Sequence, residues 1–423
     1  MLDGIVETRL ANGLGVVVQR VPQTSGAGVA VNYRVGFRTE TPGRSGFAHL
    51  FEHMMFQGSR SVAKGEHFSR VLAHGGQVNG NTFPDVTDYH QVVPSHAVDQ
   101  VLALEADRMA HLAVTQRNLD VQRDVVKEEI RLKVTGMPYG GFPWTVLPSV
   151  LYGKWENAHN GYGELDDLDA ATIEDCADFY AAFYAPQNAV LAVCGDIDPQ
   201  ATLTAVERAF ADVPARPGPP LPDLAEPVAG EPLTGVHIDA LAPRPALAVG
   251  CRLPDPARDM RAYAAHVVLG RLLTRGTHAR LRQAVVPLTA QVASTAGLFG
   301  PLMAADPDTF VIVVHHPHGA AERALAVVDR ELRAVASGAA SEPEVQRAVA
   351  SALTQTHVGQ DSLATRVRSL ARGRLLWQQP GIADALTRAL AATDAQDIRA
   401  AAANLARPQG RAVLTLLPKE STS

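Results

Sequence analysis

The chain has 423 residues, a formal charge of −6 and 46% hydrophobic residues, which is longer than one hydrophobic core sustains and predicts two domains of roughly 200 residues each. Scattered acids and bases with an acidic balance exclude electrostatic attraction to nucleic acid or to an anionic membrane surface. No stretch is long and apolar enough to span a bilayer, and the N-terminus has no basic region followed by an apolar one, so the expected location is cytoplasmic.

"GLGVVVQRV" and "GVAVNYRVG" are β-rich and separated by a polar turn, which predicts adjacent strands. A helix is expected to begin near Ser45, a second in "KGEHFSRVLAHGG", and then strand around a turn in "QVNGNTFPDVTDYHQVVP". "SHAVDQVLALEADRMAHLAV" and "NLDVQRDVVKEEIRLKV" carry apolar residues at helical spacing, and "APQNAVLAVCGDID" reads as a strand bounded by turns. Proline recurs too often in 212–232 for helix or central strand, which marks a linker at 213–232 between an N-terminal domain, 1–212, and a C-terminal one, 233–423. The second half repeats similar material in similar order: strands in "HIDALAPRPALAVGCRLP", a helix in "RAYAAHVVLGRLLTRG", a strand in "DTFVIVVHHP", then alanine-rich helices. Strands and helices mix without regular βαβ alternation, which predicts an α+β protein with a weak internal duplication. Cys176, Cys194 and Cys251 are odd in number and far apart, as buried free thiols would be.

The chemistry concentrates in "FAHLFEHMMFQGS", residues 47–59, where His49, Glu52 and His53 interrupt an apolar run. On a helix, positions four apart share a face, so His49 and His53 can present two imidazoles to one point with Glu52 on the neighbouring ridge. Catalytic zinc takes three protein ligands and keeps an open position, so a third ligand must come from elsewhere. H-x-x-E-H is the inverted zincin pattern. "HHPH", residues 315–318, lacks ligand spacing and reads as a strand end in a surface loop.

The wider sequence resembles the M16 metallopeptidases, the family of pitrilysin, insulin-degrading enzyme and mitochondrial processing peptidase. "NYRVGFRTETPGRSGFAHLFEHMMFQGS", "GGQVNGNTFPDVTDYHQVVP", "RDVVKEEIRLKVTGMPYG" and "FYAAFYAPQNAVLAVCGDID" carry the resemblance in family order, and the short length is like the M16B type. It implies two homologous sandwich-like α/β domains of the LuxS/MPP-like metallohydrolase fold, forming half of a clamshell. It also implies a zinc metalloendopeptidase with one zinc ion per chain, held by His49, His53 and a glutamate about 76 residues after His53, which is Glu129. Glu128 then reads as a solvated helix carboxylate. Glu52 is implied as the base that accepts the water proton and passes it to the leaving amine.

Relatives carry a further glutamate one heptad before the third ligand, and here that position is Gln122, an amide able to hydrogen-bond a ligand. Asn79, Gly80, Asn81 and Thr82 match the family's edge strand, where a peptide substrate adds by backbone pairing, although ordinary turn chemistry accounts for Asn79 and Asn81 equally well. Asp85, Thr87 and Tyr89 are expected to support the sheet. The arginine and tyrosine with which active relatives hold substrate fall on Val286 and about Gln291. The expectation is therefore a zinc-bearing subunit that pairs with a homologous chain supplying that clamp, with a homodimer or a non-catalytic peptide-binding or scaffold subunit as alternatives.

Overall fold

The computed structural model describes residues 4–227 and 230–419. The first half runs β1 (Ile5–Arg9), β2 (Gly15–Arg20), β3 (Ala27–Tyr33), α1 (Phe47–Met54), α2 (Glu66–Ala73), β4 (Gln77–Thr82), β5 (Thr87–Val93), α3 (Val98–His111) and α4 (Gln116–Ile130). Short helices α5 (Leu147–Leu151), α6 (Trp155–Ala158) and α7 (Leu165–Ala170) precede α8 (Ile173–Phe183), β6 (Ala189–Gly195) and α9 (Pro199–Ala209). The second half contains β7 (Leu233–Asp239), β8 (Ala246–Arg252), α10 (Met260–Thr274), α11 (Arg280–Ala284), β9 (Gln291–Ala296) and β10 (Thr309–His315). It ends with α12 (Ala321–Ala336), α13 (Glu342–Asp361), α14 (Leu363–Trp377), α15 (Ile382–Ala391), α16 (Ala395–Leu405) and β11 (Arg411–Pro418). The predicted strands and helices are present. The helix read in "NLDVQRDVVKEEIRLKV" ends at Ile130, and Arg131–Thr135 continue it as a π-helical turn.

The strands form two sheets, ordered β1-β2-β6-β3-β5-β4 and β7-β11-β8-β10-β9. Apart from β1 the two orders correspond, with a single parallel pair at the matching place in each, β2 with β6 and β7 with β11. The fold is α+β, and the repetition expected of the second half is present as a repeated strand order. Both sheets follow the same packing logic: a sheet needs each apolar face covered.

The chain divides into two compact units that are not its two halves. One comprises residues 1–128, 161–222 and 357–384; the other comprises 129–160, 223–356 and 385–423. Helix α14, from the second half, therefore belongs to the first unit. It covers Val17, Ala30, Val190, Ala192 and Cys194 with Val367, Leu370, Ala371 and Leu375. Gly28 of β3 allows the close approach, since a Cβ there would lie 3.0 Å from the Leu363 carbonyl oxygen and 3.1 Å from Val367 Cγ1. Val367 is fully buried, and burial of such a side chain contributes about 1.5–3 kcal/mol.

In the second unit the corresponding face is covered by α5, which the first half supplies. Leu147 and Leu151 pack with Ala246, Ala248, Ala412, Leu414 and Leu416. Gly250 of β8 allows this contact, where a Cβ would lie 3.0 Å from Leu147 Cδ2. The described residues of the proline-rich stretch, up to 227 and from 230 to 232, form no helix or strand, and side chains within it are tied down at Arg216 and Glu226. Arg216 donates to the Met109 and Tyr184 carbonyls at 2.9 and 3.0 Å. Glu226 accepts from the Lys154 amide and the Asn157 side chain, both at 2.9 Å.

All three cysteines are free and buried. Burial pushes each thiol up to about 12, as inert core cysteines require.

Candidate metal centre

Helix α1 starts sharply because Gly46 adopts the left-handed conformation, with φ of 84°. The buried Glu40 carboxylate accepts from the Gly46 and Ala48 amides at 2.9 and 2.8 Å, which satisfies first-turn donors that have no partner within the helix. Phe47, Leu50, Phe51 and Met54 are buried, while Glu52 and His53 are partly open and His49 is 7% exposed. The apolar face therefore anchors the helix, and its other face carries the ionisable groups. The His49 and His53 rings lie 5.1 Å apart between centroids, nearly perpendicular. Tyr162 packs edge-on against the His49 ring at 5.4 Å, a contact that no local sequence signal announces.

Glu129 sits on the last turn of α4, a continuous helix whose body belongs to the same unit as α1. One ligand atom from each of His49, His53 and Glu129 lies within 4.8 Å of the other two. Two imidazole nitrogens and one carboxylate oxygen at that spacing suit a tetrahedral zinc with one position left for water or substrate. Among the described residues, this is the one such grouping of three. Lys133 donates to Glu129 Oε1 at 2.7 Å, but its side chain is 61% exposed, and an ion pair that open is worth about 1 kcal/mol at most. Glu128 is exposed and lies outside the cluster.

Strand β4 is the edge of its sheet, paired only with β5. Thr82 Oγ1 donates to Glu52 Oε2 at 2.8 Å. Gly80 is the point of closest approach, where a Cβ would stand 3.2 Å from Glu52 Cγ and from Phe56. Side chains alternate along a strand, so Gly80 and Thr82 meet α1 while Asn79 and Asn81 point the other way. Asn79 accepts from the Gly80 amide at 2.9 Å, and Asn81 donates to Asp88 at 3.3 Å. Gln122 is buried on α4, but among the described residues it makes no hydrogen bond to His49, His53 or Glu129.

The sheet beneath is held by buried polar groups. Tyr89 donates to the Phe51 carbonyl at 3.2 Å and meets the Tyr184 hydroxyl at 3.1 Å. Burial raises both phenols, so they stay neutral. Arg108, which is 2% exposed, bonds Glu105 through two nitrogens and lies over the Tyr89 ring at 4.4 Å. Burial, with Arg108 and Arg70 nearby, pushes His67 down to about 2, so this imidazole is neutral. Thr87 donates to the Val35 carbonyl at 2.8 Å, and Arg38 pairs with Asp85 at 3.3 Å. On α14, Arg368 bonds both oxygens of the fully buried Asp88 at 2.9 Å.

Val286 is exposed on the turn before β9, and Gln291 begins that strand. His315 ends β10 and His316 is buried beside Pro317. No helix among the described residues is long and apolar enough to cross a membrane.

Residues 15–135 match the model of Insulinase (Peptidase family M16), and residues 170–352 match that of the Peptidase M16 inactive domain. The chain belongs to the M16 peptidase family. It is 33% identical to the zinc protease PqqE of Helicobacter pylori over 202 residues, covering 45% of this M16 chain and 43% of that protein, less than half its length. An uncharacterized zinc protease of Streptomyces coelicolor is 26% identical over 409 residues, 93% of this chain and 86% of its own. The crystal structure of a protease from Helicobacter pylori superposes with a TM-score of 0.88 at 23% identity, covering 98% of this chain and 99% of that one. The periplasmic protease PqqL from Escherichia coli superposes at 0.76 and 18% identity, covering 99% of this chain and 48% of that one. These two structures speak for the fold, and the two M16 family models match successive parts of the one chain.

Proposed function

We propose that the chain is the zinc-bearing subunit of an M16B-type metalloendopeptidase that hydrolyses short or unfolded peptides. The observation that carries this reading is the convergence of His49, His53 and Glu129 donors within 4.8 Å, beside a glutamate that is not one of them. Those three residues would hold one zinc ion per chain. When bound, zinc supplies Lewis acidity, polarising a peptide carbonyl and acidifying water.

The chain's own groups do the rest. Thr82 fixes one oxygen of Glu52, and the other accepts the water proton and delivers it to the leaving amine nitrogen, so no covalent link to the chain forms. The open edge of β4 offers backbone groups for a peptide to pair as an added strand, which aligns it along α1. Val286 and Gln291 provide no cationic or phenolic clamp. A homologous subunit therefore supplies the arginine and tyrosine that orient the peptide.

The test is zinc content together with cleavage of an unstructured fluorogenic peptide library, by the chain alone and mixed with a homologous chain encoded beside it. One zinc per chain and cleavage only in the mixture is the expected result. Failure to retain zinc overturns the reading, and cleavage by the chain alone replaces the heterodimer with a homodimer.

A further inference from the structure

The face of the first sheet away from α1 carries a charged cluster that the docking of α14 does not require. Val367, Leu370, Ala371 and Leu375 already hold α14 on apolar residues of β2, β3 and β6. One strand nearer the edge, the fully buried Asp88 of β5 lies among His90, Asn81 and two arginines of α14. Its Oδ1 accepts from Arg368 Nε at 2.9 Å and Asn81 Nδ2 at 3.3 Å and meets His90 Nδ1 at 2.9 Å. Its Oδ2 accepts from a second Arg368 nitrogen at 2.9 Å. Arg368 and Arg372, one turn apart, also lie over the Phe83 ring at 5.8 and 5.3 Å. Asn81 belongs to β4 and Phe83 follows its last residue, so α14 grips the end of that strand through two side chains.

A buried ion pair often adds no stability over apolar residues of like volume, and the second unit shows the apolar solution. There β10 holds the place of β5 in the strand order, and the residues it turns to the α5 side are Val311 and Val313. Directional contacts therefore occur beneath the edge strand that meets α1 and not beneath its counterpart. What they fix lies on the other face of β4. Thr82, next to Asn81, bonds Glu52 Oε2 at 2.8 Å, and a Cβ on Gly80 would stand 3.2 Å from Glu52 Cγ. In the ladder Asn81 faces Asp88 and Thr82 faces Thr87. Side chains alternate along a strand, so a slip of one residue would turn Thr82 away from α1. Strand β4 has only β5 beside it to set that register.

We propose that Arg368 is a positioning residue: through Asp88 and Asn81 it holds the end of β4 in the register that keeps Thr82 on Glu52. A helix from the second half of the chain thereby orients the base carried by the first. The consequence for turnover rests on the proposed peptidase function; the ordering of β4 does not.

The test is a double-mutant cycle in peptide turnover, with the homologous partner present, beside hydrogen exchange of the chain alone. Asn81→Ala cuts the link to β4 while Asp88 keeps Arg368, so it reads the route even if Arg368→Met fails to fold. Each of the two should lower kcat about fivefold at constant KM and zinc content, the worth of the one hydrogen bond they maintain. In a Thr82→Val background neither should lower kcat by more than about 1.5-fold further, because the contact they act through is already gone. In Asn81→Ala the β4 amides bonded to β5 should exchange about fivefold faster while those of β6 keep their rate. Full multiplication of the effects in the Thr82→Val background overturns the inference, as does unchanged β4 exchange in Asn81→Ala. A rise in KM alone on Asn81→Ala also overturns it, by assigning Asn81 to substrate contact. If the unsubstituted chain and its partner show no turnover, the proposed function fails, and β4 exchange still decides whether Asn81 and Asp88 order the strand.

Discussion

The two units present the same helix-against-edge-strand arrangement and do different things with it. In the first, α1 sets Glu52 against Thr82 of β4 and presents His49 and His53 to Glu129 of α4. In the second, α10 carries one histidine, His266, which is 2% exposed, bonds the Ala262 carbonyl through Nδ1 at 2.8 Å and meets Asn404 through Nε2 at 3.1 Å. Burial lowers its pKa, so it is a neutral, satisfied core residue. Strand order is common property; chemistry lies in which side chains face the strand edge.

The comparison breaks most visibly at Glu52. Glu52→Gln should keep one zinc per chain and lower kcat by about 10²–10⁴, the usual worth of a general base, as measured by peptide turnover beside metal analysis. Unchanged turnover would remove Glu52 as the base.

Metal content sharpens it next. His53→Ala should abolish zinc binding, read by metal analysis after dialysis, while His266→Gln in the second unit should leave the stoichiometry at one. Any loss of zinc in the second variant, if it still folds, would place a ligand where the structure has a core histidine.

The exchanged helix gives a stability test. Arg368→Met removes the main partner of the buried Asp88, and breaking such a pair costs about 3 kcal/mol, the low end of the range because Arg372 remains at 4.0 Å. The urea midpoint reads this. Burial acts to raise the pKa of Asp88, but the His90 hydrogen bond and Arg368 outweigh it and hold the carboxyl below its ordinary value. Its stabilisation is therefore full above the unfolded value of about 3.9 and is lost as pH falls through the folded one. Asp88→Asn should flatten that acid limb; a limb of unchanged steepness would assign it to other carboxylates.

The smallest effect is expected at Thr82. Thr82→Val removes one hydrogen bond to Glu52, worth about 1 kcal/mol, so kcat should fall about fivefold at constant KM and zinc content, with Thr82→Ser restoring it. A change in KM alone would assign Thr82 to substrate contact instead.

What was legible in the sequence was local. His49, Glu52 and His53 lie within five residues, and helix geometry alone puts the two histidines on one face. Glu129 was reachable only through its family context, because nothing in the spacing of α4 says which of two adjacent glutamates turns toward α1. Gln122 matched a family position yet makes no hydrogen bond to a ligand among the described residues, since sequence alignment carries no side-chain direction.

The sequence by itself determined the elements, the α+β class, the repeat and the paired histidines, all of which follow from short-range periodicity. Only the tertiary structure decided that Thr82 holds Glu52 from 30 residues away and that Arg368 reaches Asp88 from 280 away. It alone assigned 129–160 to the second unit and 357–384 to the first. The physical reason is that hydrophobic periodicity states which face of an element is buried, and leaves open which other element buries it.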